Sequence, residues 1–235
     1  MKNSINFKLW GQYALFTDPI TKIGGEKCSY LVPTYEAIKG VLKSIYWKPT
    51  IIWRINKIRV VKPIRTQTKG VKPLSWNGGN SLAFYTFLHE VEYQIEAHFV
   101  WNEFRPELKP DRIDGKHYSI AKRVLEKGGR QDIFLGTRDC QGYVEPCQFG
   151  EGTGAYDNID EMAFGLMFHS FGYPDEIGGN ELKANFWLAK MKYGIIEYPN
   201  MELESLNSRS VRPMIPKVFD INKNQKSVEV EEQNL

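Results

Sequence analysis

From Val91 to Trp101 the chain sets Val91, Tyr93, Ile95, Ala97, Phe99 and Trp101 against Glu92, Gln94, Glu96 and His98. A period of two held over this length predicts a strand with one face in a core and one in water, as in an antiparallel sheet covered on one side. Other elements have to be arranged around it. Ile5, Phe7 and Leu9 alternate with Asn6 and Lys8 as a first strand. After Pro33, residues Ala37, Ile38, Val41, Leu42 and Ile45 recur at helical spacing, and Pro49 forbids continuation. Ile51, Trp53 and Ile55, then Ile58 and Val60, alternate with a slip at Asn56, which predicts a bulged second strand. Arg65 to Asn80, with Gly70, Pro73 and Asn77-Gly78-Gly79-Asn80, reads as a basic loop or hairpin tip. Ala121, Val124 and Leu125 give a second helical stripe that stops at Gly128-Gly129, and Ile133 to Leu135 a fourth main strand.

Strand, helix, strand, strand, helix, strand is the order of a ferredoxin-like domain, an α+β plan with two helices on one face of a four-stranded sheet. We expect that domain over residues 1–140, with a basic hairpin insertion near 65–80. A smaller antiparallel β-rich portion is expected over 141–221, where glycines cluster up to Gly154 and alternation returns around Phe164 to Phe168 and Leu182 to Leu188. Residues 222–235 lack aromatics and are expected to be a mobile tail.

Charge is informative once divided along the chain. The net is only +3, yet between Glu36 and Glu90 there are ten bases and no acid. From Arg105 to Arg130 eight bases oppose four acids. Such segregation predicts a polyanion-binding face, for which Lys39, Lys43, Lys48, Arg54, Arg59, Arg65, Lys69, Lys72 and Arg112 are the candidates. Trp47, Trp53 and Trp76 are candidate stacking platforms for unpaired bases, with burial in the core as the plainer alternative.

Composition excludes several classes. At 42% hydrophobic and 25% charged residues the chain is neither disordered nor fibrous. No apolar run approaches the ~18–20 residues of a bilayer span. Met1 to Trp10 does not resemble a secretory signal, so a cytoplasmic location and no membrane partner are expected. Cys28, Cys140 and Cys147 are expected to be ordinary thiols. Four scattered histidines and no paired Cys-x-x-Cys predict no metal site and no cofactor.

His117 stands apart because Gly115-Lys116-His117-Tyr118 precedes the second helical stripe. A titratable imidazole and a fixed cation at a helix start could hold a phosphodiester, since free N–H groups and the dipole there favour anions. A neutral imidazole can take the proton of a ribose 2′-hydroxyl near pH 7, and an ammonium can stabilise charge growing on phosphorus. The bland reading is a solvated Lys-His pair.

Several runs resemble one family: Gly11-Gln12-Tyr13-Ala14-Leu15-Phe16-Thr17-Asp18-Pro19, Pro33-Thr34-Tyr35, Ser44-Ile45-Tyr46-Trp47-Lys48-Pro49 and Gly115-Lys116-His117-Tyr118. Asp132-Ile133-Phe134-Leu135-Gly136, Cys140-Gln141-Gly142-Tyr143 and Tyr173-Pro174-Asp175-Glu176 extend the likeness. They are similar to the CRISPR-associated RAMP-superfamily endoribonucleases of the subtype I-C system, the fifth Cas protein in its variant d, with an RRM-like RAMP domain. The resemblance implies cleavage of precursor CRISPR RNA at the base of the repeat stem-loop and continued residence in the type I-C interference complex. It implies a catalytic group of Tyr46, Lys116 and His117. Residue spacing does not predict Tyr46: with the two helices taken as parallel, the end of the first and the start of the second lie about 20 Å apart. The partners expected are the precursor repeat hairpin and the other subunits of that complex, with DNA left open. The competing reading is a non-catalytic RNA-binding subunit that caps the 5′ handle of a guide; a metal-dependent DNA nuclease is disfavoured by the missing ligand cluster.

Overall fold

The computed structural model describes residues 3–19, 21–73, 77–79, 81–199 and 206–216. Trp76, the middle of the 65–80 tip and the 222–235 tail lie outside them. The protein is a mixed α/β molecule, mostly antiparallel strands with few helices. The larger sheet runs β5 (Ile133–Phe134), β6 (Gln141–Pro146), β1 (Ser4–Ala14), β4 (Ala83–Trp101), β2 (Ile51–Val60) and β9 (Ile195–Glu197), with β3 (Thr66–Val71) paired to the front of β4. The second sheet orders β10 (Asn207–Pro213), β8 (Glu181–Met191) and β7 (Met162–Gly172).

The long alternation behaves as its pattern requires. In β4 the apolar set Tyr93, Ile95, Ala97 and Phe99 is buried against Phe7 and Leu9 of β1 and Trp53 and Ile58 of β2. The slip at Asn56 is a register shift between Ile55 and Lys57. Helix α1 (Tyr35–Ile45) begins at Thr34, whose hydroxyl accepts from the Ala37 N–H at 3.1 Å. Ile38, Val41, Leu42 and Ile45 are buried in the shared core. Helix α2 (Lys116–Glu126) packs over β1 and β6 and ends where Gly128 and Gly129 take positive φ.

Two expectations change. The strand beside β1 is β6, not Ile133 to Leu135; those residues make only the short β5 at its outer edge. Gly136 explains the reversal: its φ is +95° and a Cβ there would lie 2.0 Å from the Leu15 carbonyl oxygen, so only glycine passes that close to β1. The helices are also not parallel. Ile51 at the start of β2 pairs with Trp101 at the end of β4. The strand entered from α1 and the strand leading to α2 therefore meet at one edge of the sheet. The end of α1 and the start of α2 are brought to that same edge.

The second sheet covers the side of α1 turned away from the first. His169 of β7 stacks on Tyr35 with ring centroids 4.4 Å apart, and the Phe171 N–H reaches Glu36 at 3.1 Å. α3 (Pro174–Ile177) follows β7 and carries Glu176 to Lys39. α1 is thus enclosed on two sides, which decides the fate of its lysines.

Candidate active site

Tyr46 caps the C-terminus of α1 in an extended conformation, φ −156° and ψ 128°, three residues before Pro49. Its N–H donates to the Leu42 carbonyl at 2.9 Å and its carbonyl accepts from Trp53 Nε1 at 2.7 Å, so the ring has a fixed origin. His117 occupies the first turn of α2, after Gly115 with φ 73°. Between β4 and α2 the chain makes a detour anchored by its arginines. Arg105 reaches Asp175 at 3.1 Å, and Arg112 reaches Glu103 at 2.9 Å and the Asn102 carbonyl at 2.8 Å. This detour carries Asp111 at the end of a 3-10 turn (Pro106–Asp111) onto the start of α2.

The Tyr46 hydroxyl lies 2.8 Å from His117 Nδ1. On the other side of the ring, Nε2 lies 2.9 Å from the Asp111 carbonyl oxygen and 3.4 Å from Asp111 Oδ2. Both of those oxygens can only accept, so a neutral imidazole here carries its proton on Nε2, and its Nδ1 accepts from the Tyr46 O–H. The Asp111 carboxylate also accepts from Lys116 Nζ at 2.5 Å and Thr50 Oγ1 at 2.6 Å. These two bonds, Lys116 first, hold the Asp111 carboxyl below the usual carboxylate range. Burial, followed by the charge of Asp111, pushes the Tyr46 phenol up, and Arg130 opposes them. Trp101 and Phe99 wall the ring, with centroids 5.5 and 6.3 Å from it. His117 is 1% exposed, Tyr46 3%, and the Lys116 side chain 40%.

The structure therefore brings Tyr46, Lys116 and His117 together, against the separation expected from parallel helices. It also adds Asp111 and Thr50, which the sequence analysis missed. Neither belongs to a helical or strand periodicity with His117, so no spacing signal marked them.

The expected RNA-binding residues divide sharply. Lys39 is fully buried and ion-paired to Glu176, which also takes Lys43 at 3.3 Å. Arg59 is buried and holds Asp157 at 2.7 Å, Gln94 at 3.2 Å and the Glu151 and Gly152 carbonyls. Arg54 is buried on β2, opposite His98 of β4, and Arg112 reaches groups of the detour. Lys39, Arg59 and Arg112 thus meet groups of the protein itself. Strand pairing supplies the acids missing from the acid-free block, with Lys57 meeting Glu96, Lys62 meeting Glu92, and Arg65 meeting Glu90. Lys69 lies over the Tyr13 ring at 3.3 Å. Lys48 and Lys72 are exposed with no carboxylate partner among the described residues. The same holds for Lys109, Lys122, Arg123, Lys127 and Arg130, a set around α2 left out of the earlier candidates. Trp53 is core at 1% exposure, whereas Trp47 is 45% exposed and lines a groove of about 320 Å³ with Pro49 and Tyr173.

The fold coincides with that of a known class. Residues 4–199 match the family model described as CRISPR-associated protein (Cas_Cas5), in its Cas5d form. The chain is 30% identical to the CRISPR pre-crRNA endoribonuclease Cas5d of Mannheimia succiniciproducens, over 88% of this chain and 99% of that one. It is 29% identical to the protein of the same name from Thermus thermophilus, over 86% and 94%. A solved structure titled as a CRISPR-associated protein superposes with a TM-score of 0.73 at 35% identity, covering 87% of this chain and 96% of that one. A functionally uncharacterized protein of Streptococcus mutans gives 0.72 at 36% identity with the same coverage. The chain belongs to the Cas5d family of CRISPR-associated proteins.

Proposed function

We propose that this protein is an endoribonuclease that cuts precursor CRISPR RNA within the repeat, at the base of its stem-loop, and stays with the product in the type I-C interference complex. The observation that carries the reading is the Tyr46, His117 and Lys116 cluster, in a chain of this family. In the reaction proposed, the ribose 2′-oxygen attacks the adjacent phosphorus, the bond to the 5′-oxygen breaks, and a 2′,3′-cyclic phosphate remains. The proton of the 2′-hydroxyl enters the Tyr46 and His117 pair and is returned to the departing 5′-oxygen, so the step balances without another reactant. Lys116 stabilises the charge on phosphorus, a task that needs no metal ion.

The larger sheet order, with β6, β1, β4 and β2 backed by two helices, supports a ferredoxin-like RAMP domain. In our reading it gains β6 and β9 from beyond residue 140, and the β-rich portion is the second sheet. RNA lies across the exposed cations Lys48, Lys116, Lys122, Arg123, Lys127 and Arg130, with Trp47 as a stacking surface. The outer face of the large sheet is a poorer site, because Glu92, Glu96 and Glu145 lie among its bases.

The burial of His117 favours one alternative, a non-catalytic subunit that caps the 5′ handle. Incubating pure protein with labelled repeat RNA in excess EDTA separates the two. Cleavage that leaves a cyclic end, stops with a single 2′-deoxy sugar at the cut, and disappears in His117→Ala while binding persists is the expected result. Binding without cleavage would leave the capping role standing.

A further inference from the structure

We propose that Asp111 is a positioning residue for the Tyr46 and His117 pair; the inference rests on the RNA-cleaving role of that site. A histidine with both ring nitrogens engaged by the protein can act on a substrate only through a partner. His117 is in that state, and its side chain is 0% exposed. What little surface the pair retains belongs to Tyr46. In this proposal the substrate sugar meets the phenol oxygen, and the imidazole works behind it.

Asp111 sets the direction of that relay. Its carbonyl and carboxylate both face Nε2, which forces the proton there and turns the Nδ1 lone pair toward Tyr46. As the 2′-hydroxyl gives its proton to the Tyr46 oxygen, Tyr46 passes its own to Nδ1. The imidazolium that forms has the Asp111 carboxylate 3.4 Å from its other nitrogen. The return step runs the same path backward to the 5′-oxygen. The logic is that of an acid orienting a catalytic imidazole from behind. The charged and titratable groups facing the ring are Tyr46 from α1, Asp111 from the detour and Lys116 from its own helix, with Arg130 acting on Tyr46. Asp111 stands between Lys116 and His117, so it also shields the imidazolium from the ammonium. Thr50, at the entrance to β2, tethers the carboxylate at 2.6 Å.

The test compares Asp111→Asn and Thr50→Val with the unaltered protein in single-turnover cleavage of repeat RNA across pH. Asp111→Asn is expected to lower the cleavage rate roughly 10- to 100-fold, the cost common for an outer carboxylate behind a functional histidine. RNA affinity should hold or tighten, because a negative charge is removed. The shape of the pH–rate profile should change, because the Asp111 carboxylate, an ionised group behind the ring, is gone. Thr50→Val should shift both quantities the same way by less, and the double variant should be no worse than Asp111→Asn alone. A purely structural role would lower melting temperature and binding without moving the pH profile. Faster cutting by Asp111→Asn would overturn the inference, because the carboxylate would then only be blocking the site of the phosphate. Nitrogen NMR of His117 gives a reading independent of turnover: a proton on Nδ1 in the unaltered protein would overturn it as well. Should the unaltered protein fail to cut RNA while that spectrum shows Nε2–H, the nuclease reading falls and the geometric part of the inference stands.

Discussion

Replacing Lys39 with methionine separates a structural lysine from a ligand-binding one. Its side chain is 0% exposed and its Nζ is bonded to Glu176, whose side chain is 14% exposed. Burial raises the Glu176 carboxyl, but Lys39 and then Lys43 outweigh it and hold the group below its ordinary range. Lys39→Met fits the same space and leaves the carboxylate with Lys43 alone, at 3.3 Å and 36% exposed. Removing one partner of a buried pair costs about 3–5 kcal/mol; the remaining lysine recovers part of it, so a loss near 3 kcal/mol is expected. For a chain of this size that is a melting temperature lower by roughly 6–12 °C. The deficit should shrink toward pH 5, because a carboxyl deprived of its cation is easier to protonate. Lys39→Met with Glu176→Leu should regain most of the loss, since an apolar pair replaces an ion pair at little cost. Thermal denaturation and RNA binding would be measured on the same samples. Unchanged stability with weakened RNA affinity would refute the reasoning, and would return Lys39 to the binding face.

Stability should fall as pH drops below about 6.5. Burial, then the charge of Lys39, lowers the pKa of His169 to about 3, so the unfolded chain takes up a proton that the native state refuses. The loss should be about 1 kcal/mol per pH unit between pH 6.5 and 5, and denaturant titrations of His169→Phe should show a shallower slope. Some slope will remain, since burial and then Arg54 lower His98 as well. Neutralising Lys122, Arg123, Lys127 and Arg130 to glutamine should weaken RNA binding and reduce the steepness of its salt dependence by roughly 2 to 3 in the log–log slope, with little change in melting temperature. An unchanged slope would remove α2 from the interface.

What lay in the sequence was the pattern carried by neighbours along the chain. The alternation of β4, the bulge at Asn56, the helical stripe ended by Pro49 and the stop at Gly128-Gly129 each express a local period or a steric limit. The Lys116 and His117 pair was visible for the same reason, being adjacent at a helix start. The placement of Tyr46 against His117, 71 residues later, was not visible, because it follows from antiparallel strand directions bringing the end of one helix to the start of the other. Asp111 and Thr50 come with that edge. The charge block shows the same division. A run of ten bases without an acid is a fact of sequence, but Glu90, Glu92 and Glu96 stand beside it across a strand pair, and Glu176 and Asp157 arrive from the distant second half. Coulomb energy depends on distance in space, so net charge along the chain overstates the face it presents until the sheet is assembled.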